Sequence, residues 1–171
     1  PLPFVGQKRM FAKEFMKVLE QYPDGTLFVD LFGGSGLLSH ITKSLKPHST
    51  VIYNDFDNYR FRMKHIPQTN QLLADIREMV GNSVPRHKII KGELRERISS
   101  RIEQEENTTG YVDFITLSSS LLFSMKYKLS VQDMRKEALY NNIRKTGYPE
   151  CTDYLEGLEI VSCDYKEVFN R

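Results

Sequence analysis

Cysteine is scarce in this chain. Cys151 and Cys163 are the only two in 171 residues. Two thiols cannot build the multi-bridge framework of a small secreted domain, and no Cys/His spacing matches a zinc site. This usage predicts a reduced, cytoplasmic setting. Long hydrophobic runs are missing too: none approaches the roughly 18–20 residues that a membrane span needs. The opening PLPFVGQKRM has no apolar secretory core, and no internal repeat or low-complexity tract occurs. The net charge is only +2, so total charge selects no partner. What is present suits a folded domain: 40% hydrophobic and 27% charged residues can bury a core. The length fits one domain of about 100–200 residues.

The pattern along the chain has three parts. Residues 1–62 have α/β character. Phe11, Phe15, Val18 and Leu19 recur at helical spacing. Pro23-Asp24-Gly25 is a turn signal. TLFVDLF (26–32) reads as a strand buried on both faces of a parallel sheet. Gly33 to Gly36 break it, LLSHITKSLK (37–46) reads as a helix, and TVIYNDFD (50–57) as a second strand. Residues 63–156 are richer in charge and predict helices over 72–80, 91–107, 114–123 and 130–145. The last has Ser130 as N-cap and Gly147 just beyond its end. Residues 157–171 return to α/β style, with LEIVSCD (158–164) as a third strand and YKEVF (165–169) opening a helix.

A strand running into Gly33-Gly34-Ser35-Gly36 and then a helix is the sharpest local signal. Glycines permit a tight turn and close approach of a nucleotide to the main chain, and a helix N-terminus is electropositive. Asp55 lies about 20 residues past the loop, where an acid can accept both ribose hydroxyls. Asp30 sits inside the first strand. A carboxylate there would repel a phosphate but attract the ammonium of S-adenosylmethionine. Asp164 follows the third strand. The carboxyl ends of adjacent parallel strands face one crevice, so Asp30, Asp55 and Asp164 are expected to line one pocket.

These pieces resemble the D12 class of DNA adenine-N6 methyltransferases, which contains the bacterial GATC-methylating enzymes. The matching segments are PFVGQKR, FVDLFGGSG, VIYNDFD and IVSCDY. The resemblance covers residues 2–62 and 157–169, and the middle matches in position and character. It implies a Rossmann-like S-adenosylmethionine-dependent methyltransferase fold with an incomplete sheet. Residues 1–62 and 157–171 would be the cofactor-binding core, and 63–156 an inserted, mainly helical recognition region. It implies S-adenosylmethionine as cofactor and places Phe4 and Lys8 beside it, Lys8 near the methionine carboxylate or the active-site loop. Asp30, Phe32, Gly33, Gly34, Ser35 and Gly36 would hold the methionine end. Asp55 would accept the ribose hydroxyls, and Phe56 would lie against the adenine. Asp164 would accept from the adenine amino group, with Tyr165 bordering the same ring.

The resemblance breaks at the catalytic motif. Asp-Pro-Pro-Tyr or a close variant should follow the third strand, but the only proline after residue 85 is Pro149. No catalytic residue is visible, and the motif is expected beyond Arg171. In such enzymes the target adenine is swung out of the duplex and a positioned amine takes the methyl group. The expected partner is double-stranded DNA, with no membrane. Over 86–101, Arg86, Lys88, Lys91, Arg95, Arg97 and Arg101 face only Glu93 and Glu96. Over 126–145, Lys126, Lys128, Arg135, Lys136, Arg144 and Lys145 face only Asp133 and Glu137. Such clusters suit phosphate contacts, and equally a solvated helical face. Glu103, Glu105 and Glu106 would stay away from phosphate.

Three functions follow. The first is a DNA adenine-N6 methyltransferase of a methylation or restriction-modification system, present without its catalytic motif. The second is a non-enzymatic remnant that binds S-adenosylmethionine or DNA. The third, a dinucleotide oxidoreductase module, is opposed by Asp30 and by Ser39 in the place of the third fingerprint glycine. The implied strand order leaves one edge of TLFVDLF bare, which would be covered by another segment or would drive self-association.

Overall fold

The computed structural model describes residues 2–6, 8–151 and 153–170. Gln7 of the opening motif, and Pro1 and Arg171 at the limits of the expected core, lie outside them. The elements begin with a 3-10 turn at Lys8–Phe11, followed by α1 (Ala12–Leu19), β1 (Phe28–Asp30), α2 (Leu37–Leu45), β2 (Val51–Asn54) and α3 (Tyr59–Lys64). Next come α4 (Ile66–Val80), β3 (Ile89–Ile90), α5 (Gly92–Thr109), α6 (Phe114–Leu121) and α7 (Val131–Met134). The chain closes with β4 (Leu139–Tyr140), β5 (Glu159–Val161) and α8 (Tyr165–Phe169). None of the described helices is long and apolar enough to cross a membrane.

The chain divides into two compact units. The first is Pro3–Lys64 with the stretch from Glu150 onward, and the second is His65–Pro149. The return to the first unit comes earlier than residue 157, where the change in sequence character puts it. Two side chains account for this. Tyr154 stacks on His40 of α2 with ring centroids 4.5 Å apart, and Leu155 packs where a Cβ on Gly36 would stand, 2.8 Å away.

The first unit is mixed α/β with a small parallel sheet in the order β1-β2-β5. β2 is central. Asp30 pairs with Tyr53, and Asn54 with Val161. Three carboxyl ends therefore lie side by side, and the glycine loop, the turn after β2 and the start of α8 all leave from that edge. β1 is an edge strand, and its outer side carries no pairing among the described residues. TLFVDLF is shorter as a strand than its apolar run predicts, and it is not buried on both faces. Leu27 is 59% and Val29 45% exposed, because burial needs a neighbour and β1 has one only on the β2 side.

The second unit is mainly helical. Pro67 in the first turn suits the start of α4, and Gly110 in the left-handed region ends α5. Asp113 caps α6, accepting from the Thr116 N–H at 3.0 Å and its hydroxyl at 2.8 Å. The helix expected over 130–145 is the main departure. Ser130 does cap it, accepting from the Asp133 N–H. The helix nevertheless stops at Met134, and Leu139–Tyr140 pairs antiparallel with Ile89–Ile90. Pairing buries Leu139 and Ile90, and that tertiary gain outweighs a few tenths of a kcal/mol per residue of helix propensity. The β3 segment has only two residues, too few for a sequence period to register.

Arg101 on α5 is held from two sides, 2.8 Å from Asp75 of α4 and 2.8 Å from Glu105 one turn on. All three side chains are less than a third exposed, so this pair should exceed a typical surface ion pair. Arg101→Ala is expected to lower stability by about 1 kcal/mol or more. Chemical denaturation measures it, and an unchanged midpoint would make the α4–α5 ion pairs decorative.

Candidate functional site

The carboxyl edge of the parallel sheet opens into a cavity of about 440 Å³ lined mainly by apolar surface. Four separate stretches of sequence supply its walls. Phe4, Val5, Gly6 and Lys8 come from the opening segment, Leu31 to Ser35 and Leu37 from the glycine loop and the start of α2. Asn54, Phe56 and Asp57 follow β2, while Asp164 and Tyr165 stand after β5.

The local chemistry explains why these residues meet. Tyr53 is fully buried in the central strand. Its ring occupies the space a side chain on Gly33 would need, 2.2 Å from the position of a Cβ. Its hydroxyl lies 2.8 Å from the Gly34 carbonyl and 3.1 Å from Asp55 Oδ1. Burial, reinforced by the Asp55 carboxylate, pushes the Tyr53 phenol far above its ordinary value of 10.0. Gly36 adopts φ 68° at the start of α2, a conformation with a low cost only for glycine. The glycines thus serve packing against β2 and the turn into α2.

Asn54 joins all three strand ends. Its amide nitrogen donates to the Leu31 carbonyl at 3.1 Å and the Cys163 carbonyl at 3.0 Å, and its oxygen accepts from the Cys163 N–H at 3.2 Å. Phe4 meets Tyr59 edge-on with centroids 5.7 Å apart, and the Arg62 guanidinium lies 6.0 Å from its ring. Lys8 donates to the Phe32 carbonyl at 2.6 Å and stands 3.8 Å from Asp30. Phe32 and Tyr165 lie with rings 5.3 Å apart. Phe32 and Phe56, each 65% exposed, present open aromatic surface at the cavity.

Of the residues expected at a cofactor, Phe4, Lys8, Phe32, Gly33, Gly34, Ser35, Phe56, Asp164 and Tyr165 line this cavity, whereas Asp30, Gly36 and Asp55 do not. The three acids therefore do not share one pocket. Asp30 turns to α2 and accepts from the Ser39 hydroxyl at 2.8 Å. Asp55 is 3% exposed. Besides the Tyr53 hydroxyl, it accepts the Tyr59 N–H at 2.6 Å and the Arg60 N–H at 3.0 Å at the start of α3. Asp164 caps α8 through one oxygen, 2.9 Å from the Lys166 N–H, and is exposed at the cavity. Asp57 and Asn54 are wall residues that pattern reading missed. Asp57 stands two residues past the acid that the dinucleotide spacing selects.

The second unit places most of the predicted phosphate-binding cations in internal ion pairs. Arg95 reaches Glu96 at 2.8 Å and the backbone carbonyl of Arg135. Arg135 itself reaches Glu96 at 2.8 Å and Glu103 at 3.1 Å. Lys126 and Lys128 converge on Glu137 at 2.5 and 3.2 Å, and Lys126 beside it holds the Glu137 carboxyl below its usual range. Lys136 pairs with Asp133 at 2.7 Å. The Arg144 guanidinium lies 4.5 Å from the Tyr148 ring centroid. Glu103 and Glu105, acids expected to stand apart, thus hold Arg135 and Arg101. Arg97 and Lys145 are exposed and make no ion pair among the described residues. No group of metal-ligating side chains occurs among the described residues.

The chain is 41% identical over 175 aligned positions to a protein of Haemophilus influenzae named "Putative methyltransferase". The match takes in the whole of this chain, which spans 58% of that protein's length. No family model matches the chain. No solved structure matches it.

Two outcomes follow from this geometry. Asp55→Ala would remove the acceptor of the Tyr59 and Arg60 N–H groups at the start of α3, while Tyr53 keeps the Gly34 carbonyl, so it is expected to cost about 1–3 kcal/mol of stability. Thermal or urea unfolding reads that loss directly. Tyr53 and Tyr154 are both raised above 10.0, chiefly by burial, so folding favours their neutral phenols. That stability is intact below about pH 10 and is lost as pH rises towards the folded-state values. The Tyr154 hydroxyl has no hydrogen-bond partner among the described residues. Tyr154→Phe should therefore fold normally and lose less stability than the parent between neutral pH and pH values above about 10. Equal alkaline losses would show that Tyr154 ionises freely in the folded state.

Proposed function

We propose that the first unit binds S-adenosylmethionine, and that the protein to which this chain belongs transfers its methyl group to the N6 amine of adenine in double-stranded DNA. The observation that carries the reading is the convergence of four stretches, represented by Phe4 and Lys8, Phe32 to Ser35, Phe56 and Asp57, and Asp164 and Tyr165, on one cavity at the carboxyl edge of the sheet. Methyl transfer in general is supported by the relative named as a methyltransferase. The adenine and DNA target rests on the resemblance of PFVGQKR, FVDLFGGSG, VIYNDFD and IVSCDY to the D12 class.

The residues present fit such a group. Phe32, Phe56 and Tyr165 offer aromatic faces to a purine. Among the described lining residues Lys8 supplies the ammonium, suited to the carboxylate of a methionine end. Asp164 has an oxygen available to accept from an exocyclic amine. When bound, the cofactor supplies an electrophilic methyl on a sulfonium. Lys8 would hold its methionine end and Phe32, Phe56 and Tyr165 its purine, and the group would supply a methyl whose transfer leaves a neutral thioether. The residues that would hold the amine belong to the Asp-Pro-Pro-Tyr motif, which does not occur in these 171 residues. The chain's own part is to bind and orient the cofactor, because orientation accounts for much of the rate in such transfers.

Titration calorimetry tests the reading. S-adenosylmethionine and S-adenosylhomocysteine should bind and NAD should not, while a folded sample that binds neither methionine cofactor refutes it. Phe56→Ala, at an exposed ring, should weaken binding by about 1–3 kcal/mol, the range found for base–aromatic stacking.

For DNA, the reading assigns the phosphate contacts first to Arg97 and Lys145, whose charges are not taken up internally. Double-stranded DNA should bind with an affinity that falls with salt. Neutralising these two should reduce the logarithmic slope by about 0.9 for each phosphate no longer engaged. A slope left unchanged would remove both residues from the interface.

A further inference from the structure

We infer that Asp57, and not Asp55, is the acid that receives the vicinal diol of a nucleoside at this cavity. The inference rests on the cavity being the S-adenosylmethionine site proposed above. A ribose places two hydroxyl donors side by side, and one carboxylate with both oxygens free meets them best. Charge-assisted bonds of that kind are about twice as strong as neutral ones.

The four acids near the carboxyl edge differ in what they have left to offer. Asp30 is engaged by the Ser39 hydroxyl and stands 3.8 Å from Lys8, and it does not line the cavity. Asp55 is buried and takes three donors, Tyr53 Oη, Tyr59 N and Arg60 N. Turning it to a ligand would strand two backbone N–H groups at the start of α3. Asp164 has given one oxygen to the Lys166 N–H. Asp57 lines the cavity beside Phe56, is exposed, and has no hydrogen-bond or ion-pair partner among the described residues. It is the acid at this edge with both oxygens free. Its place after the central strand, next to an exposed ring, would set a diol beside a stacked purine, the arrangement within a nucleoside.

The test measures S-adenosylhomocysteine and its 2′-deoxy analogue by calorimetry on the whole chain, the Asp57→Asn variant and the Asp57→Ser variant. Thermal melts run in parallel. Asp57 has no hydrogen-bond or ion-pair partner among the described residues, so both variants should melt with the parent. The expected result is parent binding about tenfold or more tighter than either variant. The parent should also prefer the ribose form over the deoxy form, and both variants should lose that preference. Unchanged binding in the variants overturns the inference and leaves the cavity reading standing. Weaker binding that keeps the full ribose preference also overturns it, because the diol is then held elsewhere. A parent that binds neither compound overturns the cavity reading and this inference with it.

Discussion

The buried ring of Tyr53 is the contact on which the first unit depends. It stands in the middle strand, and three features of the site are built around it. Its ring fills the space that Gly33 leaves vacant, which brings the glycine loop flat against β2. Its hydroxyl engages the loop through the Gly34 carbonyl and engages Asp55, which in turn holds the first N–H groups of α3. A larger residue at position 33 would collide with carbon and with the Asn54 carbonyl at 2.8 Å. The glycine-rich turn is thus explained by packing before any ligand is considered.

Asn54 adds the complementary constraint. One side-chain amide bonds to the chain after β1 and the chain after β5. The polar backbone groups that leave a short sheet need partners, and this amide supplies them while keeping the outer exits in register with the centre. The cavity wall is consequently fixed by groups that do not themselves need to touch a ligand. Acids near this edge separate into two kinds. Asp30 and Asp55 are consumed in holding helices, whereas Asp57 and Asp164 retain carboxylate oxygens facing the opening.

The second unit shows how charge counting along a sequence overstates a charged surface. Each cluster holds six cations against two acids when read in its own segment, but acids from outside the segment answer Arg101 and Arg135 as well. Glu103 answers Arg135, and Asp75 answers Arg101. Paired charges hold side chains in place and contribute little long-range field. Arg86, Lys88, Lys91, Arg97 and Lys145 are exposed and make no ion pair among the described residues, and their distinction from neighbours such as Arg95 depends on fold geometry.

Sequence by itself determined the elements whose signals are local. The helix periods of α1, α4 and α5, the Ser130 cap, the break at Gly33 to Gly36 and the strand at 51–54 all depend on neighbours a few residues away. Seven of the expected cofactor residues lie together because they follow strand ends, and parallel strands carry their ends to one edge, where Phe4 and Lys8 join them from the opening segment. Tertiary structure alone decided the rest. Leu139–Tyr140 became a strand because Ile89–Ile90 lay opposite it, a partner some fifty residues away that no local period reports. Val29 stayed exposed because burial depends on a neighbour beyond β1. Asp55 and Asp57 are the same residue type two positions apart, and spacing favours the first. Which carboxylate turns inward to cap α3 and which stays free at the cavity is set by hydrogen-bond donors that meet only after folding.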